Sequence, residues 1–320
     1  MYEPVSGWPD DRGLVHLALF HASHQKYRNE VVSFIRGGLD SSEPVLAAVP
    51  RHRQQALRAA LGGYSHDITF ADMAVLGLNP ARIIPAIWTF LDRHPDQQVR
   101  FVGEPVWPGR TADETREVCR HEALINQAFT DRAATILCPY DSRQLAADVL
   151  NQVRRTHPYL LAESQPQPNR AYLGPAVPAW CDSPLPPPPA TAQSYQYYSD
   201  LRQLRRWVAR QASGTGLAAD GVADLVIAVS ELAANTLRHT AGAGTAWLWY
   251  AADEIVCQFY DQGEITDPLA GSRPDPDGHD HGLRVVNQLC DLAEIRSGPG
   301  GTTIRIRMSL TRPAVIPARW

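Results

Sequence analysis

Short apolar runs alternate with amphipathic segments along the first half of the chain. The runs at 14–20, 44–49, 68–70, 99–102 and 134–138 predict strands. The helical spacing of apolar residues between them predicts helices over 26–36, 51–61, 81–93, 112–129 and 143–155. Strands that alternate with helices of this length indicate a mostly parallel sheet covered on both faces. Residues 12–161 are therefore predicted to form an α/β domain.

The second half follows a different order. Helical patterns come first, at 197–212 and 218–239, and the pattern of two strands follows at 245–251 and 254–260. A helix at 282–292 then precedes a strand pair at 293–297 and 302–309, with the glycine-rich turn 298–301 between the two strands. Helices that are separate from an antiparallel sheet predict an α+β sandwich over residues 195–310.

Residues 162–194 separate the two halves and are rich in proline, ending in the run PLPPPP at 184–189. Consecutive prolines fix φ and favour an extended polyproline II segment. This stretch is predicted to be a linker between two domains.

The composition of the chain argues against several classes of protein. Thirty basic and 34 acidic residues give a net charge of −4, which argues against direct nucleic-acid binding. The sequence has no apolar stretch long enough for a membrane span and no signal-peptide pattern at its start. Five scattered cysteines, at 119, 138, 181, 257 and 290, fit reduced thiols. A cytoplasmic protein is expected.

One further count excludes two classes of nucleotide enzyme. Lys26 is the single lysine among the 30 basic residues, and no glycine lies near it. A P-loop and a common eukaryotic protein kinase both require a lysine at the phosphates. Any ATP site in this chain must work without a lysine.

Candidate chemistry collects in the second half. Glu231, Asn235 and His239 are spaced i, i+4 and i+8 on the 218–239 helix, so they lie along one strip of its surface. A carboxylate beside a carboxamide can polarise water and hold a divalent cation, although such a strip by itself is typical of a solvated helix face. Asp261 follows a strand, and the segment GHDHGL at 278–283 leads into a helix start that can bind anions.

In order along the chain, ELAANTLRH (231–239), DQG (261–263), GHDHGL (278–283) and GGTTIRI (300–306) resemble the motifs of GHKL-type ATPases. The resemblance covers about 195–310 and implies the Bergerat ATPase fold. The short lid and the closing segment RSGPGGTTIRIRM most resemble the anti-sigma-factor serine kinases in that superfamily.

The resemblance implies roles for individual residues. Asn235 would hold Mg²⁺ between the phosphates of ATP, Glu231 would be the general base, and His239 would be a further nucleotide contact. Asp261 would receive the adenine amino group, and Gly263 would let the backbone approach the base. Thr303 would help close the adenine pocket. Four residues would shape the lid and present amides to the phosphates: Gly278, His281, Gly282 and Leu283.

The expected partner is a STAS-type anti-anti-sigma factor, phosphorylated on serine, with a sigma factor as the other partner and a homodimer as the expected assembly. One departure favours an alternative, a catalytically weak nucleotide-binding module that sequesters a sigma factor. Ile265 replaces the second glycine of the family's DxGxG motif, and a β-branched residue resists positive φ. A sensor histidine kinase is a third hypothesis, disfavoured because the 197–212 helix contains no histidine.

The first half resembles the MEDS sensory domain, a degenerate RecA-like α/β fold, over residues 12–161. The resemblance is carried by FIRGGL (34–39), 44–50, GEPVW (103–107), RHEALIN (120–126) and CPYD (138–141). It implies a sensor without ATPase activity.

A small-molecule signal site in this half is hypothesised where strands end in an α/β sheet. The residues concerned are Glu104, Trp107, Cys138, Tyr140 and Asp141. The alternative for them is an ordinary strand-to-helix turn. His16, His21 and His24 lack a clear metal-ligand spacing and are expected to be hydrogen-bonded histidines.

Overall fold

A computed structural model describes residues 13–240, 242–274 and 281–311 of the chain. The chain divides into two compact units, Met1–Cys181 and Asp182–Trp320. Within the described residues, no helix has the length and apolar character needed to cross a membrane.

The first unit is built on a seven-stranded sheet in the order β3-β2-β4-β5-β1-β6-β7. Its strands are β1 Leu14–His21, β2 Val45–Val49, β3 Ile68–Asp72, β4 Val99–Gly103, β5 Ala134–Asp141, β6 Tyr159–Ala162 and β7 Gln165–Pro168. All pairings are parallel except β6 with β7. The predicted mostly parallel α/β domain is confirmed.

Six α-helices connect these strands: α1 His24–Asp40, α2 Arg51–Leu61, α3 Met73–Leu76, α4 Ile83–Asp92, α5 Ala112–Ala128 and α6 Ala147–Thr156. Three of these helices, α1, α3 and α5, begin with a side-chain N-cap. Thr111 forms a capping box with Glu114 at the start of α5, and Ser23 caps α1.

Alternating residues of β1 face opposite sides of the sheet. Val15, Leu17 and Leu19 therefore share one core with α1, while His16 contacts α5 on the other side.

The second unit carries a five-stranded antiparallel sheet in the order β11-β12-β10-β9-β8. The strands are β8 Gln193–Tyr197, β9 Gly244–Ala251, β10 Glu254–Asp261, β11 Leu292–Gly298 and β12 Gly301–Ser309, and the helices are α7 Leu201–Ala212, α8 Ala219–His239 and α9 His281–Leu289. The apolar side of α8, including Leu225, Val229 and Leu232, lies in the core of this unit. The predicted α+β sandwich is confirmed.

The proline-rich stretch is more ordered than a spacer. β7 lies within it and pairs with β6, which is possible because proline is accepted at a sheet edge. Further on, Arg296 Nε donates to the carbonyl oxygen of Ser183 at 3.0 Å, and Arg305 donates to the carbonyl of Pro186. Polyproline II backbone makes no internal hydrogen bonds, so its carbonyl groups are available to such donors. The sequence did not predict these contacts.

Candidate functional site

The second unit contains a cleft of about 320 Å³ between α8, the ends of β10 and β12, and the segment that follows β10. Five residues predicted from the sequence line it: Asn235, His239, Asp261, Gly263 and Leu283. The other ten lining residues are half apolar, including Leu232, Phe259, Ile265 and Ile304, and half polar or charged. The size of the cleft is typical of a small-ligand site.

Asp261 lies at the end of β10 with its carboxylate held on both oxygens. Oδ1 accepts a hydrogen bond from the backbone N–H of Gly263 at 2.8 Å, and Oδ2 accepts one from the Thr236 hydroxyl at 2.6 Å. A carboxylate offers about four acceptor positions. Two of them therefore remain to receive donors from a ligand in the cleft.

A second residue orients the Thr236 hydroxyl. The Tyr197 hydroxyl donates to Thr236 Oγ1 at 2.9 Å, so a chain of donors runs from Tyr197 through Thr236 to Asp261. Burial, with the nearby Asp261 charge, raises the pKa of Tyr197 to about 12, which keeps its donor proton in place at neutral pH. Neither Tyr197 nor Thr236 was predicted. Tyr197 lies in β8, 64 positions before Asp261 in the sequence, and only folding brings them together.

Gly263 is required by close packing. A Cβ atom on Gly263 would lie 2.9 Å from the Thr240 methyl group and 3.0 Å from Asp261 Oδ1. Both separations are tighter than normal carbon contacts. Glycine therefore lets this segment fold back against the carboxylate that its own N–H contacts.

Ile265 does not strain the turn in the way that the sequence suggested. The described non-glycine residues with positive φ are Ser42, Glu163, Ser164 and Ala252, so Ile265 is not among them. Its N–H donates to Ser297 Oγ at 2.7 Å, and its side chain packs against the core and the cleft. The substitution is accommodated by a backbone conformation that isoleucine adopts readily.

Glu231 and Asn235 meet the start of α9. A Cβ atom on Gly282 would lie 2.9 Å from Glu231 Oε2 and 3.2 Å from Asn235 Oδ1. His281 is the first residue of α9 and is exposed, and Leu283 is buried. The start of α9 thus lies beside a carboxylate and a carboxamide. Because the first N–H groups of a helix have no partner within the helix, this combination suits a cation and its anionic ligand. The oxygens of Glu231 and Asn235 are the donor type that Mg²⁺ prefers.

Asn235 has one more contact. Arg238, one helical turn later on α8, donates from Nη2 to Asn235 Oδ1 at 2.7 Å. A cation bound to that oxygen must share it with the arginine or displace the arginine. Arg238 also supplies positive charge beside Asn235 where the chain has no lysine.

Two predicted residues need comment. Thr303 does not line the cleft, because β12 alternates and turns Thr302 and Ile304 toward it instead. Thr302 Oγ1 donates to the carbonyl oxygen of Gly263 at 2.7 Å and is only 4% exposed. Thr302, and not Thr303, therefore lines the cleft. Gly278 falls outside the described residues.

The signal site hypothesised in the first unit is divided by the sheet. Cys138 and Tyr140 are buried on the α5 side, where Tyr140 contacts His157. Glu104 faces α1 and accepts a hydrogen bond from the Tyr27 hydroxyl. Trp107 instead lies under Arg110, at 3.6 Å. Asp141 lies near enough to Glu104 and His21 for its charge to favour a higher pKa in both. Cys138 and Tyr140 are therefore separated from Glu104 and Asp141, and the five residues do not form one group.

The α1 side of this unit holds a buried polar cluster of Tyr27, Arg53 and Glu104. The Arg53 guanidinium lies 4.2 Å from the centre of the Tyr27 ring, and its Nε is 3.8 Å from Glu104 Oε2. Burial raises the pKa of Glu104 to about 7, against the lowering effects of the Tyr27 hydrogen bond and the Arg53 charge. A cleft of about 370 Å³ between α1 and α2 opens onto Tyr27 and Arg53.

His21, at the end of β1, lies on the same side of the sheet as this cluster. Its ring is 5.1 Å from that of Tyr27. Burial lowers the pKa of His21 to about 4, although the Asp141 charge opposes the shift. His21 is therefore neutral at neutral pH.

Comparisons with known proteins agree with the two units. Residues 15–158 match the family model of the MEDS domain, the methanogen/methylotroph DcmR sensory domain. Residues 197–308 match the histidine kinase-like ATPase domain. Both predicted resemblances are confirmed.

Among the solved structures that match part of the chain is that of the RsbU and RsbW domains of Rv1364c from Mycobacterium tuberculosis. The match has 22% sequence identity and a TM-score of 0.30. It covers 38% of this chain and 34% of the other, so the matched region spans about a third of that protein.

Proposed function

We propose that this chain, which consists of a MEDS sensory domain and a histidine kinase-like ATPase domain, is an anti-sigma-factor type regulator. It binds ATP with Mg²⁺ and phosphorylates a serine of a STAS-type anti-anti-sigma factor. A sigma factor is its second partner. The observation that carries this proposal is the cleft, which is lined by the positioned carboxylate of Asp261, by Asn235 and by Leu283 of α9, with Glu231 beside Asn235 at the start of α9.

The chemistry follows from this arrangement. The Asp261 carboxylate accepts a hydrogen bond from the adenine amino group, and the apolar side chains of Phe259 and Ile304 cover the base. Asn235 holds Mg²⁺, which when bound neutralises phosphate charge during phosphoryl transfer. Glu231 accepts the proton of the attacking serine hydroxyl. The N–H groups at the start of α9 donate to phosphate oxygens.

A weaker catalyst is the second candidate. The hydrogen bond from Arg238 to Asn235 Oδ1 competes with a cation for that oxygen. In this case the domain binds nucleotide and sequesters a sigma factor without rapid phosphoryl transfer. Autophosphorylation on histidine is disfavoured, since α7 contains no histidine and His157, the nearest one before it, is fully buried.

The sensory half is proposed to act through the α1–α2 cleft instead of the site first hypothesised. Tyr27, Arg53 and Glu104 place a phenol, a cation and a carboxyl group at or beneath this cleft. These groups can recognise a small polar molecule. We place the protein in the cytoplasm, where its five buried free thiols remain reduced, and we expect a homodimer.

Calorimetric titration of the full chain with ATP and ADP, with and without Mg²⁺, tests the nucleotide site. Asp261→Asn is expected to weaken binding tenfold or more, at about 1.4 kcal/mol per tenfold, because an acceptor for the adenine amino group is lost. Asn235→Ala is expected to abolish the Mg²⁺ dependence. The matched control is Asp253→Asn, at an exposed position in the turn after β9.

The location of transferred phosphate separates the hypotheses. Acid-stable phosphate on a partner serine, lost in Glu231→Gln, supports the kinase. Nucleotide binding without transfer supports the binding module. Acid-labile phosphate on this chain would contradict both, and a folded wild-type protein that binds no nucleotide would refute the site itself.

A further inference from the structure

The first unit buries a second cluster of reactive side chains, on the α5 side of the sheet. His16 lies in β1, Cys138 in the adjacent β5, Glu122 in α5, and His157 just after α6. None of the four is more than 2% exposed. Groups of this kind are rarely buried together unless they are fully paired or bind a metal.

The ligand atoms of the cluster lie close to the separations found around a bound metal ion. Glu122 Oε2 lies 3.1 Å from His16 Nε2 and 3.0 Å from His157 Nε2, and Cys138 Sγ lies 3.6 Å from His16 Nε2. All four ligand atoms lie within 4.8 Å of one another. Tetrahedral zinc with bonds of about 2.0–2.3 Å separates its ligands by roughly 3.3–3.8 Å. Small side-chain adjustments would bring the four atoms onto one ion.

The outer hydrogen bonds fix which ring nitrogens carry protons. The Asn126 amide nitrogen donates to three backbone carbonyl groups, so its Oδ1 faces His16 Nδ1, 3.1 Å away, as an acceptor. His157 Nδ1 is 2.7 Å from the carbonyl oxygen of Val153. Both Nδ1 atoms must therefore donate. In neutral imidazoles this leaves both Nε2 lone pairs directed at the Glu122 carboxylate.

That arrangement favours positive charge at its centre. A single proton on Glu122 can satisfy one imidazole lone pair, and it leaves either that of His16 facing a thiol at 3.6 Å or that of His157 facing the Tyr140 hydroxyl at 3.4 Å. The thiol is a weak donor, and 3.4 Å is long for a hydrogen bond from a hydroxyl. A divalent cation satisfies both lone pairs, the carboxylate and the sulfur together. Histidine ligands whose second nitrogen donates to a carbonyl or amide oxygen are the usual outer arrangement of protein metal sites.

We propose that His16, Glu122, Cys138 and His157 form a zinc site in the MEDS domain. Two imidazoles, one sulfur and one carboxylate oxygen are a mixed ligand set that suits tetrahedral Zn²⁺. Four protein ligands and complete burial describe a closed site, whose role is structural. The ion would join α5 and the end of α6 to the two central strands β1 and β5.

The test uses the tag-free full chain, prepared under reducing conditions. Elemental analysis is expected to find about one zinc ion per chain. After removal of zinc with a chelator, added Co²⁺ is expected to produce the ligand-field bands of a tetrahedral site and a thiolate-to-cobalt charge-transfer band. The charge-transfer band identifies cysteine as a ligand.

Variants assign the ligands. Cys138→Ala is expected to abolish the charge-transfer band and to lose most of the zinc, whereas Cys119→Ala, at an equally buried thiol on α5, retains both. Glu122→Gln offers N–H donors to the imidazole lone pairs. It is therefore expected to remain folded, by far-ultraviolet circular dichroism, with its zinc content reduced at least tenfold.

The wild-type chain alone can refute the proposal even if variants fail to fold. A folded chain that contains no zinc and takes up neither Zn²⁺ nor Co²⁺ would show that the cluster is a proton-bonded network. Cobalt bound without the charge-transfer band would place the ion elsewhere. Neither result depends on nucleotide binding by the C-terminal domain.

Discussion

Thr236→Val tests whether the chain of donors from Tyr197 through Thr236 holds the Asp261 carboxylate, the proposed adenine acceptor, in place. Valine keeps the shape and the β-branch of threonine and removes only the hydroxyl. Thr236 is 2% exposed, so water cannot readily replace the missing group. The change deletes the 2.6 Å bond to Asp261 and leaves the Tyr197 hydroxyl without its 2.9 Å acceptor.

The size of the effect follows from these two bonds. A hydrogen bond to a charged group contributes about 1.5–3 kcal/mol, and a buried donor left unpaired costs about 1–3 kcal/mol. Because the two losses share one hydroxyl and partial relaxation is expected, we predict a fall of about 2–4 kcal/mol in the free energy of unfolding of the C-terminal domain. Nucleotide affinity is expected to fall by up to about tenfold, since the Asp261 carboxylate is no longer oriented.

A double-mutant cycle with Tyr197→Phe isolates the coupling. In the Tyr197→Phe background, Thr236→Val no longer leaves a buried hydroxyl donor without an acceptor. The loss of unfolding free energy caused by Thr236→Val should therefore be smaller there by about 1–2 kcal/mol. Thr236→Ser retains the hydroxyl and is the matched control. Urea unfolding measures stability, and calorimetry measures Mg²⁺-ATP binding. A Thr236→Val protein with wild-type stability, or a cycle with no coupling, would refute the reasoning.

Two further predictions concern other parts of the chain. Folding raises the pKa of Glu104 from its ordinary 4.5 to about 7, so the folded state holds more protons on Glu104 than the unfolded state between these values, and this group's contribution to the stability of the N-terminal domain should fall by about 3 kcal/mol as pH rises from 4.5 to 7. The lowered pKa of His21 acts in the opposite direction over the same range, so the contribution of Glu104 is measured as a difference between two proteins. In urea unfolding, Glu104→Gln should gain about 3 kcal/mol of stability relative to the wild type as pH rises from 4.5 to 7, and a difference that does not change with pH would contradict the assignment. Gly282→Ala should lower phosphoryl transfer at least tenfold because the new methyl group would lie 2.9 Å from Glu231 Oε2 and 3.2 Å from Asn235 Oδ1 and would displace them. Gly298→Ala, which points into open space, is the control, and full activity in Gly282→Ala would exclude the proposed approach of α9 to these residues.

The sequence by itself determined both domain classes, and five of the residues it singled out line the cleft of the second unit. Local patterns carry this information, because apolar periodicity sets helices and strands and the i, i+4 spacing places Glu231 and Asn235 on one strip of α8. Asp261 was found because it ends a strand next to a glycine. Such features depend only on neighbours along the chain, so one sequence is enough to read them.

Tertiary structure decided everything that depends on which distant elements meet. The pleat of β12 turned Thr302 to the cleft instead of Thr303, and a one-residue difference in an adjacent TT pair has no local signal. β8 brought Tyr197 to Thr236 across 39 positions. The sheet of the first unit put Glu104 and Cys138 on opposite faces, and it brought His16 to Glu122, 106 positions away. Strand order and facing set these contacts, and both are fixed by packing of the whole domain.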